Sequence, residues 1–369
     1  MQVLSKDTRV NTFLDSIGRN SFNSKKAYKT GLTHFDKFLK SNKITMHLNA
    51  DTIIQALQKQ RINTYEILDQ FVSYLSEQNM TIPSLKLYVN AIKSYFEFND
   101  IDIVPSRFRR RVKMPKYYPD PEEPLSLPDI RELLEFNSNH RLRTYILLLA
   151  STGLRANEAA SLRLMDVDFK TTPTSIHVRK EYTKTKRGRT IYCSEEATKH
   201  LKKLIEIHKT KKPEHFLFAV RTNTKTSKAI YLRLLEQFER LQHIAEKDQR
   251  KENSQRRKIT LHSLRRTCYS IISENVSSDF ANWFLGHNHS VYWTHKEQER
   301  REIYRAKCMP FLTIYQETRD NTIENALREK DITIKLLTNR IADIELHQKE
   351  QSEILKHLTP EKLQKIMNS

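Results

Sequence analysis

The sequence predicts a mainly α-helical (α+β) protein in which a single small antiparallel sheet interrupts the helices. Three observations lead there. Apolar residues recur at i, i+3, i+4 spacing through much of the first hundred residues and again from 126 onward, the period of helices with one buried face. Only residues 175–193 change period, with 175–178 and 190–193 reading as two short strands joined by a long charged turn. Glycine is scarce, at 5 of 369 residues, too few to build a Gly-rich phosphate loop or a dinucleotide fingerprint.

The elements follow in chain order. Residues 24–39 carry Ala27, Tyr28, Leu32, Phe35, Phe38 and Leu39 on one helical face. Residues 65–75 do the same with Leu68, Phe71, Val72 and Leu75, and 84–98 with Leu85, Tyr88, Val89, Ile92, Tyr95 and Phe96. A helical domain over 1–104 is expected. Residues 105–124 hold Pro105, Pro115, Pro119, Pro121 and Pro124, and proline removes backbone donors. They also hold Arg107, Arg109, Arg110, Arg111, Lys113 and Lys116. An extended basic linker in contact with phosphate is the expectation. A second domain is expected over 125–318. Ser126 stands where a helix N-cap would be, with Asp129 three residues on. Residues 143–151 (RTYILLLAS) read as a buried helix, 194–243 as helix, 247–258 as polar and basic, and helix resumes at His262. The turn over 179–189 has six cations and one acid.

From 319 to 369 the pattern is a heptad. Leu327, Ile334, Ile341 and Leu355 share one position and Leu337, Ile344 and Leu358 another, with Gln348 and Gln351 as a polar layer. A coiled-coil tail that joins copies of the chain is expected.

Composition narrows the function. Lys plus Arg number 64 and Asp plus Glu 44, a net charge of +20 and a pI near 9.7. That balance points to a polyanionic partner. No apolar run reaches the length of a membrane span, no signal-peptide core follows Met1, and no basic helix with a bulky apolar face suggests a membrane surface. Cys193, Cys268 and Cys308 have neither disulfide nor zinc spacing. A cytoplasmic, nucleoid-associated protein is expected.

Two arginines and two histidines sit beside turns or helix ends. They are Arg155 after Thr152-Gly153-Leu154, His262 and Arg265 in HSLR, and His287 after Leu285-Gly286. Each alone reads as ordinary structure. Together they suit a phosphodiester. Arginine presents a charged fork to two phosphate oxygens and can stabilise the added charge of a pentacoordinate transition state. Histidine donates to an oxygen or relays a proton near neutral pH. No acidic cluster suited to Mg²⁺ is evident, so no metal and no cofactor is expected.

The wording of these motifs resembles the tyrosine recombinase (phage integrase) family. TGLRANEAASLRLMDVDF (152–169) looks like its first signature, HSLRRT (262–267) like its H-x-x-R signature and LGH (285–287) like its third, with 22 positions from Arg265 to His287. The C-terminal wording after NWFLGH is most like archaeal integrases. The resemblance implies a helical core-binding domain followed by a tyrosine-recombinase catalytic domain, clamped on double-stranded DNA as a dimer to tetramer. It implies that Arg155 and Arg265 bind the non-bridging oxygens of the scissile phosphate. His262 would bond the phosphate or take the tyrosine proton, His287 would bond the phosphate, and Glu158 would hold Arg155. A hairpin lysine would protonate the leaving 5′ oxygen. Counting back from Arg189 gives Lys184, with Lys186 in competition and Arg187 beside them on DNA.

The family's usual tyrosine position falls on Lys296, so the nucleophile departs from the pattern. Tyr292, five residues after His287, is the first choice, and Tyr304 and Tyr315 stay open. Reaching phenolate at pH 7 costs a free tyrosine about 4 kcal/mol, which neighbouring cations would offset. The implied reaction is site-specific recombination through a 3′-phosphotyrosyl link, as in a mobile-element integrase. A type IB topoisomerase-like nicking-closing enzyme and a non-catalytic DNA-binding protein of the same fold are the alternatives.

Overall fold

The computed structural model describes residues 8–118, 124–183, 186–207, 212–220, 224, 226–251, 256–287 and 290–315, and scattered helical positions between 333 and 348. The chain divides into two compact units, Met1–Pro121 and Glu122–Ser369. Each has its own apolar core.

The first unit is helical: α1 (Thr8–Asn20), α2 (Phe22–Ser41), α3 (Thr52–Gln58), α4 (Thr64–Glu77), α5 (Ile82–Phe98) and α6 (Pro105–Arg111). Helix α2 packs on α1 and α5. The apolar faces read from the sequence meet in an aromatic centre, where Phe35 contacts Phe71 and Phe96 edge-on and Phe38 packs on Phe71. The buried carboxylate of Asp51 accepts from the Val10 N–H and the Tyr95 hydroxyl, which ties α1 and α5 to the start of α3.

Helix α6 corrects one expectation. The basic segment is not extended throughout, because Arg107, Arg109, Arg110 and Arg111 lie on a helical turn. Pro105 sits in its first turn, where the missing N–H has no partner to lose, and arginine is a good helix former. The cations remain exposed, as does Lys113.

The second unit begins with α7 (Leu127–Glu135) and α8 (His140–Thr152). Ser126 caps α7, and Asp129 completes a capping box that the sequence pattern would give to Glu or Gln. Helix α8 is buried on nearly every side, and α10 (Glu195–Ile207) and α12 (Leu261–Asn275) pack against it. The other helices are α9 (Ala156–Ala160), α11 (Ser227–Ile244), α13 (Ser278–Leu285), α14 (Glu297–Ile303) and α15 (Met309–Leu312), with a π-helical turn over Tyr304–Cys308.

The sheet has three antiparallel strands in the order β1 (Val167–Asp168), β2 (Ser175–Val178), β3 (Arg189–Tyr192). Val167 pairs with Ile176, and Ile176 with Ile191. The sequence reading finds β2 and β3 but not β1, whose two residues are too short to show a period.

Of the heptad positions, Ile334, Leu337, Ile341 and Ile344 are helical and exposed. Gln348 is at a helical position. Leu327, Gln351, Leu355 and Leu358 lie outside the described residues. Among the described residues, no helix is long and apolar enough to cross a membrane.

Candidate active site

The site is built on two left-handed turns. Helix α8 ends at Gly153, with φ +59°, and α13 ends at Gly286, with φ +79°. Glycine enters this region without the steric cost that other residues meet. Arg155 follows the first turn and precedes α9. His287 follows the second.

Arg265, on α12, joins the two turns from below. It is buried. One Nη donates to the Gly153 carbonyl at 2.6 Å, and the other donates to the Leu285 carbonyl at 2.8 Å and reaches His287 Nε2 at 3.2 Å. A guanidinium only donates, so His287 accepts through Nε2. Its Nδ1 then carries the proton and donates to Asn282 Oδ1 at 3.0 Å. Burial, followed by the charges of Arg265 and Arg155, lowers the His287 pKa and favours this neutral form. Burial, and then the neighbouring Arg155 charge, pushes the Arg265 guanidinium down to about 9. It is a compressed cation without a carboxylate in direct contact among the described residues. An anion placed there would relieve that repulsion.

Arg155 donates to Glu158 Oε1 at 2.8 Å, and its main-chain N–H donates to Oε2 at 3.2 Å. Burial favours protonation of Glu158, but Arg189 and then Arg155 outweigh it and hold the carboxyl below its ordinary range. His262 is exposed at the start of α12. Desolvation, then the charges of Arg265, Arg256 and Arg155, lowers its pKa. A neutral imidazole can accept a proton. Arg155, His262, Arg265 and His287 thus share one electrostatic neighbourhood.

Arg189 and Asn282 bond directly to Glu158 and His287 of this candidate site, and the sequence reading does not single them out. Arg189 enters that reading as one of six cations in a turn and as the anchor for counting back to Lys184. Nothing local distinguishes Asn282 from any polar residue on a helix.

The hairpin turn between β2 and β3 is described only in part. Lys184 lies outside the described residues. Lys186 is exposed at φ +57°, and Arg187 beside it is exposed too.

The three tyrosines separate. Tyr304 is fully buried, its hydroxyl donating to the Ser151 carbonyl at 3.0 Å between the rings of Phe284 and Tyr192. Burial drives its pKa well above 10. It is a core residue and cannot meet a phosphate as placed. Tyr315 is half-buried, and its main-chain N–H donates to Glu196. Burial raises its pKa as well. Tyr292 is half-buried in a short 3₁₀ turn over Val291–Trp293, edge-on to Phe280 and 4.7 Å from the His295 ring. No hydrogen bond among the described residues joins it to Arg155, His262, Arg265 or His287. Its turn is tied to the site through the indole N–H of Trp293, which reaches the His287 carbonyl at 3.4 Å.

Among the described residues, no three His, Cys, Asp or Glu side chains are grouped to hold a metal ion. Gly286 is the most constrained point of the site. A Cβ there would stand 2.7 Å from Arg189 Nη1, and the positive φ adds strain. We expect Gly286→Ala to destabilise the fold by about 1–3 kcal/mol, read as a lowered thermal midpoint.

The second unit is thus a helical domain with a three-stranded sheet that gathers two arginines and two histidines around two glycine turns. Residues 125–297 match the model of the phage integrase family, so the second unit carries a domain similar to that family's. It is 32% identical over 157 residues to tyrosine recombinase XerD of Rickettsia bellii, covering 40% of this chain and 46% of that protein. It is 31% identical over 100 residues to tyrosine recombinase XerA of Pyrococcus horikoshii, covering 27% of this chain and 34% of that one. The chain therefore spans about half or less of the length of these curated relatives. The comparisons do not single out an archaeal branch. The fold is similar to that of the Tn1549 transposon integrase in complex with circular intermediate DNA, with a TM-score of 0.51, 17% identity, and coverage of 81% of this chain and 99% of that one.

Proposed function

We propose that the chain is a site-specific DNA recombinase of the integrase type, which cleaves and rejoins duplex DNA through a 3′-phosphotyrosyl intermediate. One observation carries the reading. The buried Arg265 bonds both glycine turns and His287 at once, inside a domain similar to that of phage integrases. A cation so constrained, beside Arg155 and two neutral histidines, suits a phosphodiester better than any other common ligand.

The steps follow from the side chains. Arg155 and Arg265 hold the two non-bridging oxygens and stabilise charge as phosphorus becomes pentacoordinate. His287, with Nδ1 on Asn282 and Nε2 accepting from Arg265, holds the Arg265 guanidinium in place and meets the phosphate only by exchanging one of those bonds. Tyr292 attacks phosphorus, and His262 takes its proton. Lys184, with Lys186 as the competing assignment, protonates the 5′ oxygen as the P–O bond breaks. The new phosphotyrosyl ester conserves the bond energy, so a 5′ hydroxyl from a second duplex can reverse the step. This is covalent catalysis combined with fixed positioning. The partner is double-stranded DNA, the reaction belongs in the cytoplasm beside the nucleoid, and the heptad face of the tail joins copies of the chain.

Two experiments test this. The first mixes purified protein with nicked attachment-site duplex in EDTA and resolves products on denaturing gels. A covalent adduct followed by joined recombinant strands supports a recombinase. An adduct that only reseals its own strand supports a topoisomerase-like enzyme, and binding with no adduct supports a non-catalytic protein.

The second concerns the exposed cations of α6. Changing Arg109, Arg110 and Arg111 together to Gln is expected to weaken duplex binding equally across sequences. The slope of log K against log salt should flatten by roughly one for each phosphate that the variant no longer neutralises. An unchanged slope would mean a solvated face.

A further inference from the structure

Arg189 opens β3 at the end of a cation-rich turn, where exposure is the ordinary expectation, yet its side chain is 1% exposed. A buried guanidinium is unfavourable unless it is paired and hydrogen-bonded. Its Nη2 donates to Glu158 Oε2 at 2.9 Å, and its Nε donates to the Phe284 carbonyl at 3.2 Å. Its Nη1 is buried with no hydrogen-bond partner among the described residues and lies against Gly286, in the space any larger residue would fill.

Glu158 divides its two oxygens. Oε2 takes Arg189, and Oε1 takes Arg155, whose side chain stays 27% exposed. A carboxylate facing one arginine readily forms a bidentate fork. Here Arg189 occupies one tine. Arg155 is gripped at one edge, and its remaining donors stay available.

We propose that Arg189 is a positioning residue for Arg155 and for the turn that carries His287. By holding Glu158 Oε2, it limits that carboxylate to a single side-chain bond with Arg155. By packing under Gly286 and donating to Phe284, it fixes the turn that presents His287. Arg189 itself touches no substrate. The proposal deepens the recombinase reading and rests on it for the meaning of the two groups.

The test uses the full chain. Arg189→Met keeps length and loses charge and donors. Duplex affinity is expected to change little, while the single-turnover rate of adduct formation falls about 100-fold, the scale of an ångström-level misplacement. Arg189→Lys should regain part of that rate, because an ammonium can hold Oε2 but cannot also bond Phe284. Wild-type cleavage by Arg189→Met would overturn the proposal.

A readout independent of cleavage is the Arg155 Nε–H resonance by NMR. It should shift in Arg189→Met as Glu158 closes on Arg155 with both oxygens. An unmoved resonance would sink the idea. If the wild type forms no adduct, the recombinase reading fails, and this resonance still decides the role of Arg189.

Discussion

Replacing Tyr292 with Phe is expected to abolish the covalent protein–DNA adduct completely while leaving duplex affinity within about twofold, since the change removes a hydroxyl and no cation. Tyr304 is sealed in the core with its hydroxyl on the Ser151 carbonyl, and exposing it would dismantle the packing of α8 and α13. Tyr304→Phe should therefore form adduct and lose about 1 kcal/mol of stability, the typical worth of one buried hydrogen bond. Tyr292 lies in a short turn whose neighbour Trp293 reaches His287, so a modest movement of that turn would carry the phenol. An adduct that survives Tyr292→Phe would contradict this placement of the nucleophile.

Arg265→Ala should have the second largest effect, because it acts on chemistry and on fold together. It removes a phosphate-facing cation, where losing one preorganised donor costs about 10²–10³ in rate. It also strips donors from the Gly153 and Leu285 carbonyls and from His287 Nε2. Each buried acceptor left unpaired costs about 1–3 kcal/mol. Arg265→Lys separates the two roles. It keeps the charge but cannot reach both turns and His287 with one ammonium. Stability should fall less than in Arg265→Ala, while adduct formation stays far below wild type. Equal activity for Lys and Arg at 265 would show that charge alone suffices.

The mainly helical fold could be read from the sequence because it is written in local spacing. Leu85, Tyr88, Val89, Ile92 and Phe96 recur at helical spacing, and α2, α4 and α5 lie where their apolar periods place them. Helix α1 carries the same signal in Val10, Phe13 and Leu14, which the sequence reading leaves unused. The proline-based expectation for 105–124 fails at α6, because proline in a first turn starts a helix as readily as it breaks one.

The site residues around Arg155, Arg265 and His287 can be found because each sits beside a glycine turn or within a recognisable motif. Arg189 cannot, since a cation in a charged turn reads as solvated. Its burial depends on Glu158, 31 residues away, and on Phe284, 95 residues away. No local pattern encodes those distances. Asn282 is hidden for the same reason. Its role exists only because the Gly286 turn folds His287 back onto α13.

Mass-spectrometric mapping of the trapped adduct would identify the nucleophile. Wild-type protein would be incubated in EDTA with a nicked attachment-site duplex, the complex digested to peptides, and the nucleotide-bearing residue identified. A 3′-phosphoryl linkage on Tyr292 is expected. A linkage on any other residue would overturn Tyr292 as the nucleophile, and a metal requirement for forming it would overturn the metal-free mechanism.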